Sequence, residues 1–124
     1  MKNILFIGLG SIGQRHLRNL KKLNKKYKFF AVRKKSISPQ LNIDNKVINK
    51  KFSSKKNNIN EISEKNSQSR KFHAVFVCNP SSMHLRSSLI HAKNGSNLFI
   101  EKPLSNNMRQ IERLKQLIKL NKIK

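Results

Sequence analysis

Four short apolar blocks, NILFIGLG, YKFFAV, HAVFVC and NLFIEKPL, interrupt an otherwise polar chain. They are continuous rather than alternating and rich in Val, Ile and Phe, the pattern of strands buried on both faces of a parallel sheet. The strands are predicted at Asn3–Ile7, Tyr27–Arg33, Phe72–Cys78 and Asn97–Ile100. After the first strand, Ile12, Leu17, Leu20 and Leu23 recur at helical spacing, with His16 on the same side. The Lys/Asn/Ser-rich stretch from Lys34 to Lys71 is less regular. There KVINK offers a short third strand over Lys46–Asn49, and Asn58 with Glu61 three residues on resembles a capping box that opens a helix. Ser81 or Ser82 caps a further helix running through Ala92 and ended by Gly95. A last helix opens near Ser105 and carries Met108, Ile111, Leu114, Leu117 and Ile118 on one stripe. Strands alternating with helices give right-handed βαβ units, hence an α/β, Rossmann-type, doubly wound parallel sheet in a single domain. The ligand crevice of such a sheet lies beyond the carboxyl ends of its strands.

Length and charge narrow the partners. A chain of 124 residues fits one domain. Its 28 Lys+Arg against 5 Asp+Glu give a formal charge of +23, which invites nucleic acid or an anionic membrane. The lysines, however, are scattered over every segment between the blocks and mixed with many asparagines and isoleucines, as a base-skewed genome would place them. A dedicated nucleic-acid module is therefore disfavoured. The one cysteine, Cys78, excludes an internal disulfide and a multi-cysteine metal site, and its place in HAVFVC makes it a buried, inert thiol. No stretch approaches the ~20 apolar residues of a membrane span. The amino terminus lacks the small-residue cleavage site of a signal peptide, so the expected setting is cytoplasmic, with no membrane partner.

Three of the four glycines fall within FIGLGSIGQRHLRNL, at Gly8, Gly10 and Gly13. Glycine inside a regular element costs roughly 0.5–1 kcal/mol relative to alanine, so this turn must need bare backbone. The G-x-G-x-x-G spacing follows a predicted strand and opens a predicted helix, the context in which it reads as a dinucleotide fingerprint. Gly8 allows the tight turn, Gly10 lets a pyrophosphate approach, and Gly13 lets helix and strand pack closely. Free amides at the helix start, from Ser11 and Ile12 onward, then hold the phosphates. An NAD-selective site usually has Asp or Glu at the end of strand two. Here that place reads AVRKKS, with Arg33, Lys34 and Lys35. Arginine there can grip a 2′-phosphate, which favours NADP over NAD.

Two further motifs end strands: CNPSSMH after the fourth and EKP after the fifth. In the order glycine loop, N-P-x-x-x-H, E-K-P they resemble the amino-terminal domain of the Gfo/Idh/MocA family (glucose–fructose oxidoreductase/inositol dehydrogenase-like), over almost the whole chain. The resemblance implies that Asn79 and Pro80 line the nicotinamide side of the cofactor cleft, with His84 near it. It implies that Glu101 and Lys102 occupy the E-K-P positions, where the lysine lies between nicotinamide and substrate hydroxyl and moves a proton. Pro103 fixes the turn. A lysine partly desolvated beside a cationic ring loses basicity and becomes usable for acid–base work.

The same resemblance implies a second, carboxy-terminal domain that shapes the substrate pocket and mediates oligomerisation, and this sequence does not contain it. The chain then reads as the cofactor half of a sugar or polyol dehydrogenase, truncated or separately encoded, and inactive alone. Two other classes compete with it: a non-catalytic dinucleotide sensor, and a basic nucleic-acid module that would expose aromatic stacking residues.

Overall fold

The computed structural model describes residues 1–23, 26–34, 39–44 and 46–124. Its main sheet has five parallel strands in the order β5-β2-β1-β6-β7, formed by β1 (Lys2–Ile7), β2 (Tyr27–Val32), β5 (Ile59–Glu61), β6 (Ala74–Val77) and β7 (Asn97–Ile100). Two further strands, β3 (Pro39–Leu41) and β4 (Val47–Lys51), pair antiparallel in a separate hairpin. The helices are α1 (Ser11–Leu23), α2 (Glu64–Gln68), α3 (His84–Lys93) and α4 (Ile111–Leu120).

Three of the apolar blocks become the central strands β1, β2 and β6, covered on both faces, while the fourth forms the edge strand β7, where Phe99 is exposed. Ile4, Phe6, Phe29, Ala31 and Phe76 point to one core, which also takes Leu9 and Leu17 from the α1 side. Leu5, Phe30, Val75 and Val77 alternate with them into the opposite core. A third cluster, Leu85, Ala92, Leu114 and Ile123, packs α3 against α4. Strand order reverses beside β1, between β2 and β6, so the crevice at the carboxyl ends of these three strands is the switch point of the fold.

Four predicted features are corrected. The third strand of the sheet is β5, not Lys46–Asn49; the latter stretch lies within β4, where Val47 is 68% exposed and could not have been buried on two faces. Edge position explains the error, since β5 needs a single inward apolar residue, Ile59, opposite Phe29. Asn58 and Glu61 form no capping box: Asn58 is a left-handed turn residue (φ 53°) and Glu61 ends β5, while Ser63 caps α2 by accepting the Asn66 amide at 3.1 Å. Neither Ser81 nor Ser82 caps α3, which opens through a 3-10 turn, Ser81–Met83, with no side-chain cap; Gly95 (φ 73°) follows its end as expected. The last helix begins at Ile111, six residues after Ser105. Ser105 and Asn107 accept the amides of Asn107 and Arg109, local bonds that compete with a helical ladder. Met108 is accordingly exposed rather than on the helix stripe.

Candidate functional site

The glycine turn connects β1 to α1 at the switch point. Gly8 adopts φ 93°, and a Cβ there would stand 2.9 Å from the Cys78 carbonyl oxygen. At Gly13 a Cβ would lie 2.5 Å from the Gly8 carbonyl oxygen, so the helix can approach the strand this closely only without a side chain. Gly10 differs: a Cβ there would meet nothing within 4 Å. The absence of a side chain at Gly10 is thus unrelated to protein packing and leaves space on the cleft side. The helical ladder starts with the Gln14 amide on the Gly10 carbonyl at 3.0 Å, so the amides of Ser11, Ile12 and Gly13 have no place in it. No acidic residue occupies the first turn of α1. Those amides and the positive end of the α1 dipole form an anion cradle.

The cradle opens on a cleft of about 520 Å³, within the range of small-molecule and cofactor sites. Its walls bring together Gly8, Gly10, Ser11, Ile12, Arg33, Lys34, Asn79 and Pro80, all singled out from the sequence. Gly13, His84, Glu101 and Lys102 are not on the lining, and Lys35 lies outside the described residues. Lys34 crosses the mouth, its Nζ donating to Met83 Sδ at 3.5 Å. Arg33, on the same wall, is engaged by its neighbours in the protein. Its Nη1 donates to Glu61 Oε1 at 2.7 Å and to Ser54 Oγ at 3.1 Å, and its guanidinium lies 5.3 Å from the centre of the Phe52 ring.

The buried Asn79 Oδ1 and His91 Nδ1, both in cleft-lining residues, make no hydrogen bond among the described residues. The Asn79 amide nitrogen donates to Ser87 Oγ at 3.0 Å, which fixes the side chain. His91 is 2% exposed and packs edge-on against Phe72. Burial pushes its imidazole down to about 4, so it is neutral at physiological pH. Open space at Gly10, amides outside the ladder and unpartnered polar atoms in the walls fit an elongated, phosphate-bearing ligand with hydrogen-bonding rings. Cys78 lines the same cleft, and burial raises its thiol to about 12, which makes it inert as a nucleophile.

Beside the Asn79 corner, two histidines hold the loop that carries Lys102. His16, on α1, contacts Glu101 Oε1 through Nε2 at 2.5 Å and stacks edge-on with Phe99. This contact is the main reason that the Glu101 carboxyl sits below its usual range. His84, also 2% exposed, bridges two backbone carbonyls, with Nδ1 2.7 Å from Pro103 O and Nε2 2.6 Å from Asn79 O. It therefore ties the N-P turn to the E-K-P turn. Lys102 is exposed between these anchors.

His91 and the α2 residues of the wall (Glu64, Ser67, Gln68) were not among the predicted site residues, nor was Glu61, which bonds Arg33 from the end of β5 and is not itself on the lining. His91 follows His84 by seven residues on the buried stripe of α3, with Ser88 between them. A search for inward stripes that admitted polar residues would have found it.

The sequence profile of a family described as an oxidoreductase family with an NAD-binding Rossmann fold, GFO_IDH_MocA, matches residues 2–123. No curated protein matches by sequence. Among solved structures, a probable oxidoreductase, yhhX, is similar at a TM-score of 0.75 and 18% identity, covering 99% of this chain and 34% of its own. A myo-inositol 2-dehydrogenase from Lactobacillus plantarum is similar at 0.70 and 22%, covering 97% and 33%. The WlbA dehydrogenase from Chromobacterium violaceum, in complex with NADH and UDP-GlcNAcA, is similar at 0.73 and 13%, covering 98% and 33%. At these identities the likeness shows the fold. The chain spans about a third of the length of each.

Proposed function

Because the chain belongs to the Gfo/Idh/MocA oxidoreductase family and forms its NAD-binding Rossmann fold, we propose that it is the cofactor-holding part of a dehydrogenase acting on a sugar or polyol. In this reading a further domain supplies the substrate pocket, and the 124 residues alone bind the dinucleotide without turnover. The observation that carries the proposal is Gly10: bare backbone with open space beside it, at the start of a helix and on the wall of the switch-point cleft. The polyol class is supported by the name of the inositol dehydrogenase to which the chain is similar. A cytoplasmic setting is in keeping with the single cysteine, and among the described residues no helix is long and apolar enough to cross a membrane.

The amides of Ser11, Ile12 and Gly13 would hold the diphosphate, and Asn79 with Pro80 would bound the nicotinamide side. When bound, the dinucleotide supplies a hydride acceptor or donor at its nicotinamide ring. Lys102 would exchange a proton with the substrate hydroxyl, and its position depends on Glu101 and Pro103, which His16 and His84 hold. Lys34, exposed at the mouth, would draw the phosphates of either cofactor toward the cleft.

Fluorescence titration with NADH and NADPH tests the proposal. The wild-type chain should bind at least one of them with micromolar affinity. Gly10→Val should weaken that binding by about a hundredfold or more, about 2.7 kcal/mol, with little change in thermal stability, because the new side chain enters open space. No binding to the wild type, or equal binding to both chains, contradicts it.

A further inference from the structure

The reading of Arg33 as a grip for a 2′-phosphate meets a competitor inside the protein. For that role the guanidinium would have to be offered to the cleft. Instead its side chain is 4% exposed, with Nη1 donating to both Glu61 and Ser54 and its plane near the buried Phe52 ring. Ser54 Oγ also donates to Glu61 Oε1, so one carboxylate oxygen gathers both bonds. These donors, the Ser54 hydroxyl first and then Arg33, hold the Glu61 carboxyl below its usual range, so it is charged at neutral pH. Glu61 is opposite Ala31 in the β5–β2 register, two residues before Arg33, and 45% of its side chain remains exposed. The neighbouring strand thus brings a carboxylate to the end of β2, where β2 has none of its own.

We propose, on the basis of the dinucleotide-binding reading above, that Glu61 is the residue that sets cofactor preference and that it selects NAD(H) over NADP(H). Two physical effects act in the same direction. Engaging a 2′-phosphate requires Arg33 to leave a charge-assisted bond in which its charge is already compensated. The phosphate also brings up to two negative charges toward an ionised carboxylate, and like charges held close in a partly buried site repel. A ribose bearing only hydroxyls meets neither obstacle and can donate to the carboxylate, the interaction by which an acidic residue selects NAD in this fold class. Lys34 at the mouth attracts the phosphates of either cofactor. Glu61 therefore decides the ratio of the two affinities.

The test is that ratio, read by titrating NADH and NADPH into the full chain at one salt concentration. The wild type should bind NADH more tightly. Glu61→Gln keeps the side-chain length and removes the charge; it should shift the ratio at least tenfold toward NADPH. Adding Arg33→Gln to this variant should reduce that gain, since the freed guanidinium produces part of it and the relieved repulsion the rest. A wild type that prefers NADPH overturns the proposal, and this measurement needs no variant to fold. So does an unchanged ratio in a Glu61→Gln chain that still binds NADH and keeps the wild-type circular dichroism. If neither dinucleotide binds the wild type, the dinucleotide reading itself fails and Glu61 loses this role with it.

Discussion

His91 is a residue whose cost can be read as a function of pH. It is buried neutral in the cleft wall, and its folded value of about 4 is well below the 6.5 of a free imidazole. Between these values the unfolded chain binds a proton that the folded chain refuses. Stability is therefore full above about pH 6.5, falls as pH drops toward 4, and levels off below. The loss by pH 4.5 should be about 2.5 kcal/mol, measured as a falling urea midpoint, and His91→Gln should flatten that limb. The carboxyls of Glu61 and Glu101, both lowered in the fold, act in the same direction but only below their ordinary value of 4.5. A limb that persists unchanged in His91→Gln would assign it to another group.

Among the elements, the turn from Glu101 to Pro103 depends on side chains far away in sequence. His84→Ala would remove the group facing both Asn79 O and Pro103 O. Leaving a part-buried acceptor without its donor costs about 1 kcal/mol or more, and the effect should be local. Hydrogen exchange should accelerate over residues 101–105 and at Asn79, while β1 and β2 keep their protection; uniform acceleration across the sheet would mean that His84 is simply part of the core. The same contrast explains what the sequence disclosed. Strands β1, β2 and β6 were legible because Ile4 to Phe6, Phe29 to Ala31 and Val75 to Val77 are buried on two faces, which demands continuous apolar residues. Gly8 and Gly13 were legible because their backbone contacts forbid any other residue. Strand β5 was hidden because an edge strand with one inward isoleucine leaves no periodic trace. Ser88 and His91, which follow His84 on the inward stripe of α3, were hidden because the stripe there is polar. Arg33 was found at its position, but its partner Glu61 lies 28 residues on, and only strand pairing joins them.

For the whole molecule, the charge of +23 and the crevice point to different partners. Six of the seven phenylalanines are buried in the cores and Phe99 is the exposed one, whereas single-stranded nucleic acid stacks on exposed aromatic rings. The excess of lysine describes the exterior, whereas the glycine turn, the cleft and the two braced loops describe a site. All of them meet at the carboxyl ends of the strands of one sheet, where strand order reverses. The claim on which everything else depends is that a diphosphate rests on the amides at the start of α1. The most direct measurement is a titration of the ¹⁵N-labelled chain with NADH, followed by amide shifts at about 0.15 M salt, where the Debye length is near 8 Å and scattered surface charge is screened. The expected result is that the largest saturable shifts fall on Gly10, Ser11, Ile12 and Gly13, with Asn79 next. Shifts spread over surface lysines, with those four amides unmoved, would contradict it.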